Sequence, residues 1–280
     1  MSAPKWQHKL PRSYLGRFCD PSQPGHVWLH RPGEAPLKTG KNQQPFAEDL
    51  FYTYTDDQGE RHQDVERFLA RIEGDAARVF TREIALRLRL PHRERWDLAL
   101  FVGFLAVRTV AYRQALDTRH NALTPQDRES ILSLTPPDEL RLVSDLLDSA
   151  TPGRNLHLHR MLVVGLQIAR VAFKKRWRFL HTGNDRPFHT SDSPFAADRR
   201  RRHGWGFEDK DIRIFTPLAS TVLLELSSPS APNVKHVTAT SLQVMEANTW
   251  LAEQACEYVI SCQENPKLPG RYCLGAIDAI

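Results

Sequence analysis

Residues 98–107, with the sequence LALFVGFLAV, form the longest apolar run of the chain, and Arg108 follows them directly. A membrane-spanning helix needs about 20 apolar residues, so these ten predict a buried core helix instead. The helical pattern extends on both sides, from residue 93 to residue 120. This run therefore predicts a helical centre around which the rest of the fold is built.

Burying Arg108 at the end of such a helix would cost stability, because a buried guanidinium without a partner is strongly destabilising. It must reach the surface, face a polar cavity or pair with a carboxylate. The natural partners are Glu66, Glu73 and Asp192. Glu66 and Glu73 lie seven residues apart, two turns along one helical face, so both can point into one site. A purely structural ion pair is the alternative reading.

Further helices are predicted around this centre. A helical period begins at residue 64, where Val65, Phe68, Leu69 and Ile72 form one apolar stripe. Thr-Pro pairs at residues 124–125 and 135–136 indicate helix starts, and Thr238 or Thr240 is expected to cap the last helix. The predicted ranges are 125–132, 137–149, 156–180 and 241–260.

Strands are predicted at both ends of the chain, where β-branched and aromatic residues concentrate. The ranges are 27–30, 50–55, 186–190, 212–215 and 221–226, with a turn at Pro217. We therefore predict an α+β fold, with a central helical bundle and short strands from both ends forming one sheet. Residues 1–280 are predicted to be a single domain, with a strand and loop segment (1–60), a helical segment (61–182), and strands plus a final helix (183–280).

The composition is that of an ordinary globular protein. Apolar residues make up 41% and charged residues 25% of the 280 positions, and the formal net charge is +5. This mild positive charge permits an anionic partner, so nucleic acid or a phosphorylated ligand is the expected partner class. The oligomeric state is left open.

The N-terminal residues contain no apolar signal segment, and no membrane association is expected. The four cysteines form no C-x-x-C pair, which favours a reducing, cytoplasmic setting. A glycine-rich phosphate loop, a G-x-S-x-G elbow and an H-E-x-x-H helix are all absent from the sequence. Dinucleotide enzymes, P-loop NTPases, ordinary α/β-hydrolases and zincins are therefore disfavoured.

Two short signatures place polar groups among rigid and aromatic residues, which suggests one site built from both ends of the chain. The N-terminal signature is His8-x-x-Pro11-x-x-Tyr14-Leu15-x-x-Phe18, and the C-terminal signature is Phe188-His189-Thr190-Ser191-Asp192-Ser193-Pro194.

In this order the two signatures resemble the domain of unknown function 4238. The resemblance extends from about residue 7 to residue 262 and includes Phe51-Tyr52, Glu66, Glu73, Arg108-Thr109, Trp177 and Asn248. The chain has Ser193 where asparagine is more usual, and Gly16 where a basic residue commonly follows Tyr-Leu. Neither departure removes a candidate functional side chain. The resemblance implies no activity, because none is established for the family.

His8, Asp192 and Asn248 are candidate site residues. His8 can act as an acid, a base or a ligand, or its ring packs beside Pro11 and Tyr14. Asp192 either forms a local Asx-turn or, together with Glu66, holds a divalent metal. Asn248 lies in the last helix, where its amide either contacts a ligand or is satisfied by the backbone.

Two basic clusters are candidate nucleic-acid contacts. The first contains Lys174, Lys175 and Arg176, and the second contains Arg200 and Arg201. Trp177 or Trp205 beside them could stack on a base. A solvated helix end and a polar loop are the respective alternatives.

The sequence thus favours a hydrolase or nuclease-like enzyme acting on a phosphorylated or nucleic-acid substrate. His8 would be the acid or base, Asp192 with Glu66 or Glu73 would bind a divalent cation or position water, and Arg108 would stabilise developing charge. The alternative is a non-enzymatic nucleic-acid- or protein-binding module, for example one component of a bacterial defence or toxin-like system.

Overall fold

The computed structural model describes residues 6–43, 45–49, 51–55, 58, 60–137, 140–141, 143–144, 154–183, 185–197, 212–227 and 234–274. Within them the chain has the α+β fold that the sequence predicts. The predicted helix 137–149 falls mostly outside the described residues, as do Arg200, Arg201 and Trp205.

The helices lie mainly in the middle of the chain. They are α1 (Arg12–Leu15), α2 (Asp64–Val79), α3 (His92–Val107), α4 (Val110–Asn121), α5 (Pro125–Ser133), α6 (Arg154–Lys174) and α7 (Ser241–Glu253). Thr124 and Thr240 cap α5 and α7 with capping boxes, which confirms the helix start at Thr124 and decides between the two candidate caps of the last helix.

The strands come from both ends of the chain. They are β1 (Trp6–His8), β2 (His26–His30), β3 (Leu37–Gly40), β4 (Ala47–Asp49), β5 (Tyr54–Thr55), β6 (Arg61–His62), β7 (Arg176–His181), β8 (Thr190–Ser191), β9 (Ala196–Ala197), β10 (Ile214–Ala219), β11 (Val222–Ser227), β12 (Val234–Thr238) and β13 (Val259–Ser261).

The expectation of one sheet is wrong, because the strands form several sheets. Strands from both ends do meet, in a four-stranded sheet of order β3-β2-β13-β8. A five-stranded sheet of order β12-β7-β11-β10-β9 is built from the C-terminal half alone, and β1-β4 and β5-β6 form two-stranded ribbons. β11 pairs antiparallel with β10, to which a short turn joins it, and also with β7, so this sheet forms without the N-terminal strands.

The strand β7 lies between β12 and β11 in the five-stranded sheet, although the sequence pattern assigned its residues to the end of a helix. The helix α6 instead stops at Lys174, and the indole Nε1 of Trp177 donates to the backbone oxygen of Ala172 at 2.7 Å. Arg95 of α3 donates to the backbone oxygen of Lys175 at 2.6 Å. These bonds satisfy carbonyls at the helix end, and the strand that follows buries Trp177 and Phe179 on alternate positions.

The predicted helix 93–120 is two helices, because the chain bends by 59° between α3 and α4. Thr109 caps α4 by accepting from the backbone nitrogen of Tyr112 at 3.1 Å, so Arg108 lies at the bend itself. Among the described helices, none alone is long and apolar enough to span a bilayer, whereas α3 and α4 taken together meet that criterion as a bent pair.

The remaining differences are local. The last helix ends at Glu253, and residues near 260 form β13 instead. Pro217 lies inside β10 rather than in a turn. The strand tolerates this proline because β9 pairs only with Ile214 and Phe215, and a bulge follows Pro217.

The helical core depends on a close approach of α3 and α6. Gly103 of α3 faces the backbone of Gly165, and a Cβ atom at Gly103 would also lie 2.8 Å from the backbone nitrogen of Ala169. Phe104 fills the space on the other side, where a Cβ at Gly165 would lie 2.9 Å from its ring. The two glycines therefore set the separation of the helices whose ends hold Arg108 and Lys175.

Candidate functional site

Arg108 is the centre of a polar cluster, and its side chain is only 4% exposed. Its Nε donates to the Tyr52 hydroxyl at 2.9 Å, its Nη2 donates to the backbone oxygen of His8 at 2.9 Å, and its Nη1 donates to Glu73. The guanidinium also stacks over the Tyr52 ring, 5.1 Å from the centroid. The predicted carboxylate partner of Arg108 is therefore confirmed as Glu73.

The electrostatics of this cluster favour a charged Arg108. Burial alone would lower the pKa of its guanidinium, but Tyr52 and Glu73 more than offset that effect, so the pKa is raised. Burial raises the pKa of Tyr52 to about 12, although Arg108 opposes the shift. Tyr52 is therefore a neutral hydrogen-bonding group, and Glu73 supplies the compensating charge.

His8 reaches the cluster from β1, which pairs with β4 in the register His8 to Ala47. Its Nε2 accepts from the Nε of Arg12 at 2.7 Å. Burial, followed by the charges of Arg12 and Arg108, lowers the pKa of His8 to about 4. The ring is therefore neutral near pH 7, and because Nε2 accepts, the proton lies on Nδ1. This Nδ1 is buried and has no hydrogen-bond partner among the described residues.

Glu66 lies on α2, two turns before Glu73. Burial raises the pKa of the Glu66 carboxyl; Arg108 and Arg12 lower it, and Glu73 raises it further. Its Oε2 is buried and, within the part of the chain that the structure describes, accepts no hydrogen bond. The site therefore contains a hydrogen-bond donor on His8 and an acceptor on Glu66, both near the same two guanidinium groups.

The two signatures do meet, but at Tyr14 rather than at Arg108. The Tyr14 hydroxyl lies 2.6 Å from Thr190 Oγ1 and donates to the backbone oxygen of Pro217 at 2.9 Å. A carbonyl can only accept, so Thr190 donates to Tyr14. Tyr14 is fully buried, and burial raises its pKa. This contact ties the N-terminal segment to both β-sheets.

Asp192 does not join the Arg108 cluster. Its Oδ1 accepts from the backbone nitrogen of Cys256 at 2.9 Å, and its Oδ2 accepts from that of Glu257 at 2.7 Å. Burial raises its pKa to about 6, against the effect of these backbone donors. The carboxylate thus clasps the loop between α7 and β13. The local turn predicted for Asp192 is made by Ser191 instead, whose Oγ accepts from the backbone nitrogen of Ser193 at 3.1 Å.

Asn248 is also internally satisfied. Its Oδ1 accepts from the backbone nitrogen of His189, and its Nδ2 donates to the backbone oxygen of Pro187, both at 2.9 Å. The buried amide holds the start of the C-terminal signature against α7. Both the oxygen and the nitrogen of the Asn248 side-chain amide therefore have backbone partners, as expected if Asn248 has a structural role.

The first basic cluster is divided by the change from helix to strand. Lys174 and Arg176 are exposed, whereas Lys175 is only 2% exposed and Trp177 is fully buried. Lys175 and Trp177 are therefore not on the surface that the sequence reading assigned to nucleic acid. The second cluster, with Arg200 and Arg201, lies outside the described residues.

The predicted metal ligands Asp192 and Glu66 belong to different parts of the molecule. Both oxygens of Asp192 are occupied by backbone donors, whereas Glu66 lies near Arg12 and Arg108. Across the described ranges, no three or more His, Cys, Asp or Glu side chains come together in a way that could hold a metal ion.

The sequence reading missed two residues of the cluster, Arg12 and Tyr52. Gln7, which precedes His8, positions Tyr52: its side-chain oxygen accepts from the backbone nitrogen of Tyr52, and its nitrogen donates to Thr53 at 3.2 Å. A polar Gln-His pair on a short strand, followed four residues later by an arginine, was the available signal for Arg12. Only the tertiary structure places Tyr52 against Arg108.

A comparison with protein-family models gives one finding. A family model described as "Protein of unknown function (DUF4238)" matches residues 6–265, which includes both signatures and every residue of the Arg108 cluster. Comparisons with curated proteins and with solved structures gave no match.

Proposed function

We propose that this chain, which belongs to the DUF4238 family, hydrolyses phosphate esters at the Arg108 cluster. The description of the family names no activity. The observation that carries the proposal is the unmatched pair of atoms Nδ1 of His8 and Oε2 of Glu66. A buried donor and a buried acceptor without partners are each destabilising. A water molecule both donates and accepts, and in this proposal one water bridges the two atoms.

In this proposal Glu66 is the general base. A raised pKa makes a carboxylate a better proton acceptor at neutral pH, provided that the group is still ionised. Nδ1–H of His8 holds the water oxygen while Glu66 takes its proton. The resulting hydroxide forms a bond to phosphorus, the ester oxygen leaves, and that oxygen takes a proton from solvent.

The two arginines have different roles. Arg12 is exposed on α1 and already positions His8, so its guanidinium is placed to attract a phosphate from solvent. Arg108 has all three nitrogens engaged by protein groups. It is therefore a positioning residue that holds His8 and Tyr52 in place, rather than the group that contacts developing charge.

The proposed substrate class is a phosphate monoester or diester, including nucleic acid. The net charge of +5 supports an anionic substrate. A reducing cytoplasmic setting is part of the proposal, and it is supported by the four cysteines, which form no disulfide with one another.

The test is hydrolysis of 4-nitrophenyl phosphate, bis(4-nitrophenyl) phosphate and labelled RNA and DNA by the full chain. Glu66→Gln is expected to lower kcat by at least about 100-fold, the lower range for loss of a general base. Asp64→Asn, an exposed carboxylate on the same helix, is the matched control. No turnover of any substrate, or full activity of Glu66→Gln, would reject the proposal.

A binding module is the second candidate, and one observation favours it. Arg108, Asp192 and Asn248 are each satisfied by partners within the protein, as in a set that locks a fold. In this case the chain binds RNA or DNA without cleaving it. Filter binding with labelled RNA and DNA, in the same samples, distinguishes binding alone from binding followed by cleavage.

A further inference from the structure

A short turn between two core residues carries leucines and arginines in alternation. Ile84 and Leu90 are buried, and residues 85–89 between them have the sequence ALRLR. All of residues 85–89 are exposed, and Leu86 and Leu88 are 65% and 51% exposed. Single exposed leucines are ordinary on a protein surface, whereas two that flank an arginine form a local apolar patch. We call residues 85–89 the 85–89 turn.

Backbone hydrogen bonds fix the 85–89 turn. The nitrogen of Arg87 donates to the backbone oxygen of Ile84 at 3.0 Å, and the nitrogen of Leu88 donates to that of Glu83 at 2.7 Å. The ring of His236, on β12, donates to the backbone oxygen of Leu88 at 3.0 Å. Arg87 has a φ of 55°, in the left-handed region that arginine rarely adopts. The hydrogen bonds offset this conformational cost, so the turn presents its side chains from a fixed backbone.

The charge around the 85–89 turn is positive. Residues 82–93 contain four arginines and one carboxylate, Glu83. The Oε2 atom of Glu83 is buried, so it does not face solvent. Arg87 and Arg89 are exposed, and neither forms an ion pair with another residue that the structure describes. The turn therefore offers two uncompensated cations beside two apolar side chains.

A partner for the 85–89 turn must supply negative charge and an apolar environment together. The phosphates of nucleic acid would pair with the arginines but would leave the leucines in water. A stable protein interface uses about 20–30 residues a side, far more than this turn provides. An anionic bilayer fits both features, because apolar side chains enter the boundary between headgroups and acyl chains while basic side chains are attracted to the lipid phosphates.

We propose that the 85–89 turn binds the surface of an anionic lipid bilayer. Leu86 and Leu88 enter the boundary between headgroups and acyl chains, and Arg87 and Arg89 contact the lipid phosphates. The N-terminal residues contain no apolar signal segment, from which no membrane association is expected, but contact with a lipid surface requires only side chains that the folded chain exposes. With so few anchoring side chains the binding is reversible.

The test is co-sedimentation of the full chain with vesicles of phosphatidylcholine and phosphatidylserine, compared with vesicles of phosphatidylcholine alone. Binding only to the anionic vesicles is expected, and it should weaken as the salt concentration rises. The double variant Leu86→Ser with Leu88→Ser should weaken this binding at least about tenfold, the factor that burial of one leucine side chain supplies.

A second double variant, Arg87→Asn with Arg89→Gln, tests the charges. It should weaken binding to the anionic vesicles by about fivefold for each arginine that is removed. Asparagine is the replacement at position 87 because it tolerates the left-handed backbone better than most residues.

Leu134→Ser and Arg67→Gln are the matched controls. Leu134 is 86% exposed and the Arg67 side chain is 75% exposed, and both lie outside the 85–89 turn. Each control should bind the anionic vesicles as the unaltered chain does. Because every replaced side chain is exposed, the melting temperatures of all these variants should be close to that of the unaltered chain.

The outcomes that would overturn the proposal are distinct. No binding to the anionic vesicles, equal binding to phosphatidylcholine alone, or full binding by either double variant would each reject it. Binding of labelled RNA or DNA that depends on Arg87 and Arg89, without binding to vesicles, would show instead that the 85–89 turn contacts nucleic acid.

Discussion

The hydroxyl groups of Tyr14 and Thr190, 176 positions apart in sequence, lie 2.6 Å from each other. Tyr14 belongs to the N-terminal signature and Thr190 to the C-terminal one. The same tyrosine also bonds the backbone oxygen of Pro217 in the five-stranded sheet. The two signatures are therefore linked by buried hydrogen bonds, which fix α1 against the four-stranded and the five-stranded sheet.

Tyr14→Phe should destabilise the fold by about 1–3 kcal/mol, because it leaves Thr190 and a buried carbonyl without their partner. Urea unfolding followed by circular dichroism measures this change. Tyr54→Phe, at a position 40% exposed, is the matched control and should have little effect. An unchanged urea midpoint for Tyr14→Phe would mean that the joint contributes nothing to stability.

The ion pair of Arg108 and Glu73 allows a sharper test. The Arg108 side chain is nearly inaccessible to solvent, and it also donates to the backbone oxygen of His8. Glu73→Ala should destabilise the protein by about 3–5 kcal/mol, since it leaves a buried guanidinium without its carboxylate. The double variant Glu73→Leu with Arg108→Met should recover part of that loss. Chemical denaturation of the wild type, Glu73→Leu, Arg108→Met and the double variant gives the coupling energy.

The exposed pair Arg67–Asp64 on α2 is the matched control for this cycle, with side chains 75% and 74% exposed. Asp64→Ala should change stability by no more than about 1 kcal/mol. If Glu73→Ala behaved like Asp64→Ala, Arg108 would have another compensating partner and the cluster would need a different description.

The sequence predicted the fold class, and it predicted that Arg108 pairs with a carboxylate, because both follow from simple costs. A long apolar run must be buried, and a buried guanidinium must be paired. Glu66, Glu73 and Asp192 were the candidate carboxylates, and Glu73 is the residue used. Thr240 and Thr124 likewise cap helices through local interactions that a short sequence window contains.

The sequence could not predict relations that depend on tertiary packing. The sequence pattern predicted that Asp192 pairs with Arg108, because burying either charged group is costly. The backbone nitrogens of Cys256 and Glu257 instead donate to Asp192. Backbone donors have no residue-type signal. In the same way, α6 stops before Trp177, where Arg95 from α3 and the indole of Trp177 itself donate to carbonyls at the helix end.

Two histidines form a chain of hydrogen bonds that predicts a pH effect. Nε2 of His181 lies 2.9 Å from Nδ1 of His236, and Nε2 of His236 lies 3.0 Å from the backbone oxygen of Leu88. The carbonyl must accept, so His236 carries a proton on Nε2, and a neutral His236 ring then accepts at Nδ1 from the Nε2–H of His181. Burial, then the charges of Arg87 and His236, lowers the pKa of His181 to about 4. Burial also lowers the pKa of His236.

A folded-state pKa below the unfolded value of about 6.5 means that the unfolded chain binds more protons between the two values. The contribution of His181 to stability is therefore complete above about pH 6.5 and is lost as the pH falls toward 4. Nitrogen-15 NMR should show the His181 ring as a neutral Nε2–H tautomer at pH 6. A charged imidazolium on His181 at that pH would contradict the prediction.

The last prediction concerns the crossing of α3 and α6. It compares Gly103 of α3, which lies at this crossing, with Gly74 of α2, which has open space beside it. A Cβ at Gly103 would meet the backbone of Gly165 and Ala169, whereas a Cβ at Gly74 meets nothing within 4 Å. Alanine favours a helix over glycine by about 1 kcal/mol. Gly74→Ala should therefore raise the melting temperature, and Gly103→Ala should lower it, since the helices must separate and lose packing worth about 1–3 kcal/mol. Differential scanning calorimetry of the two variants measures both signs. If Gly103→Ala were stabilising as well, α3 and α6 would not be held as close together as Gly103 and Gly165 imply.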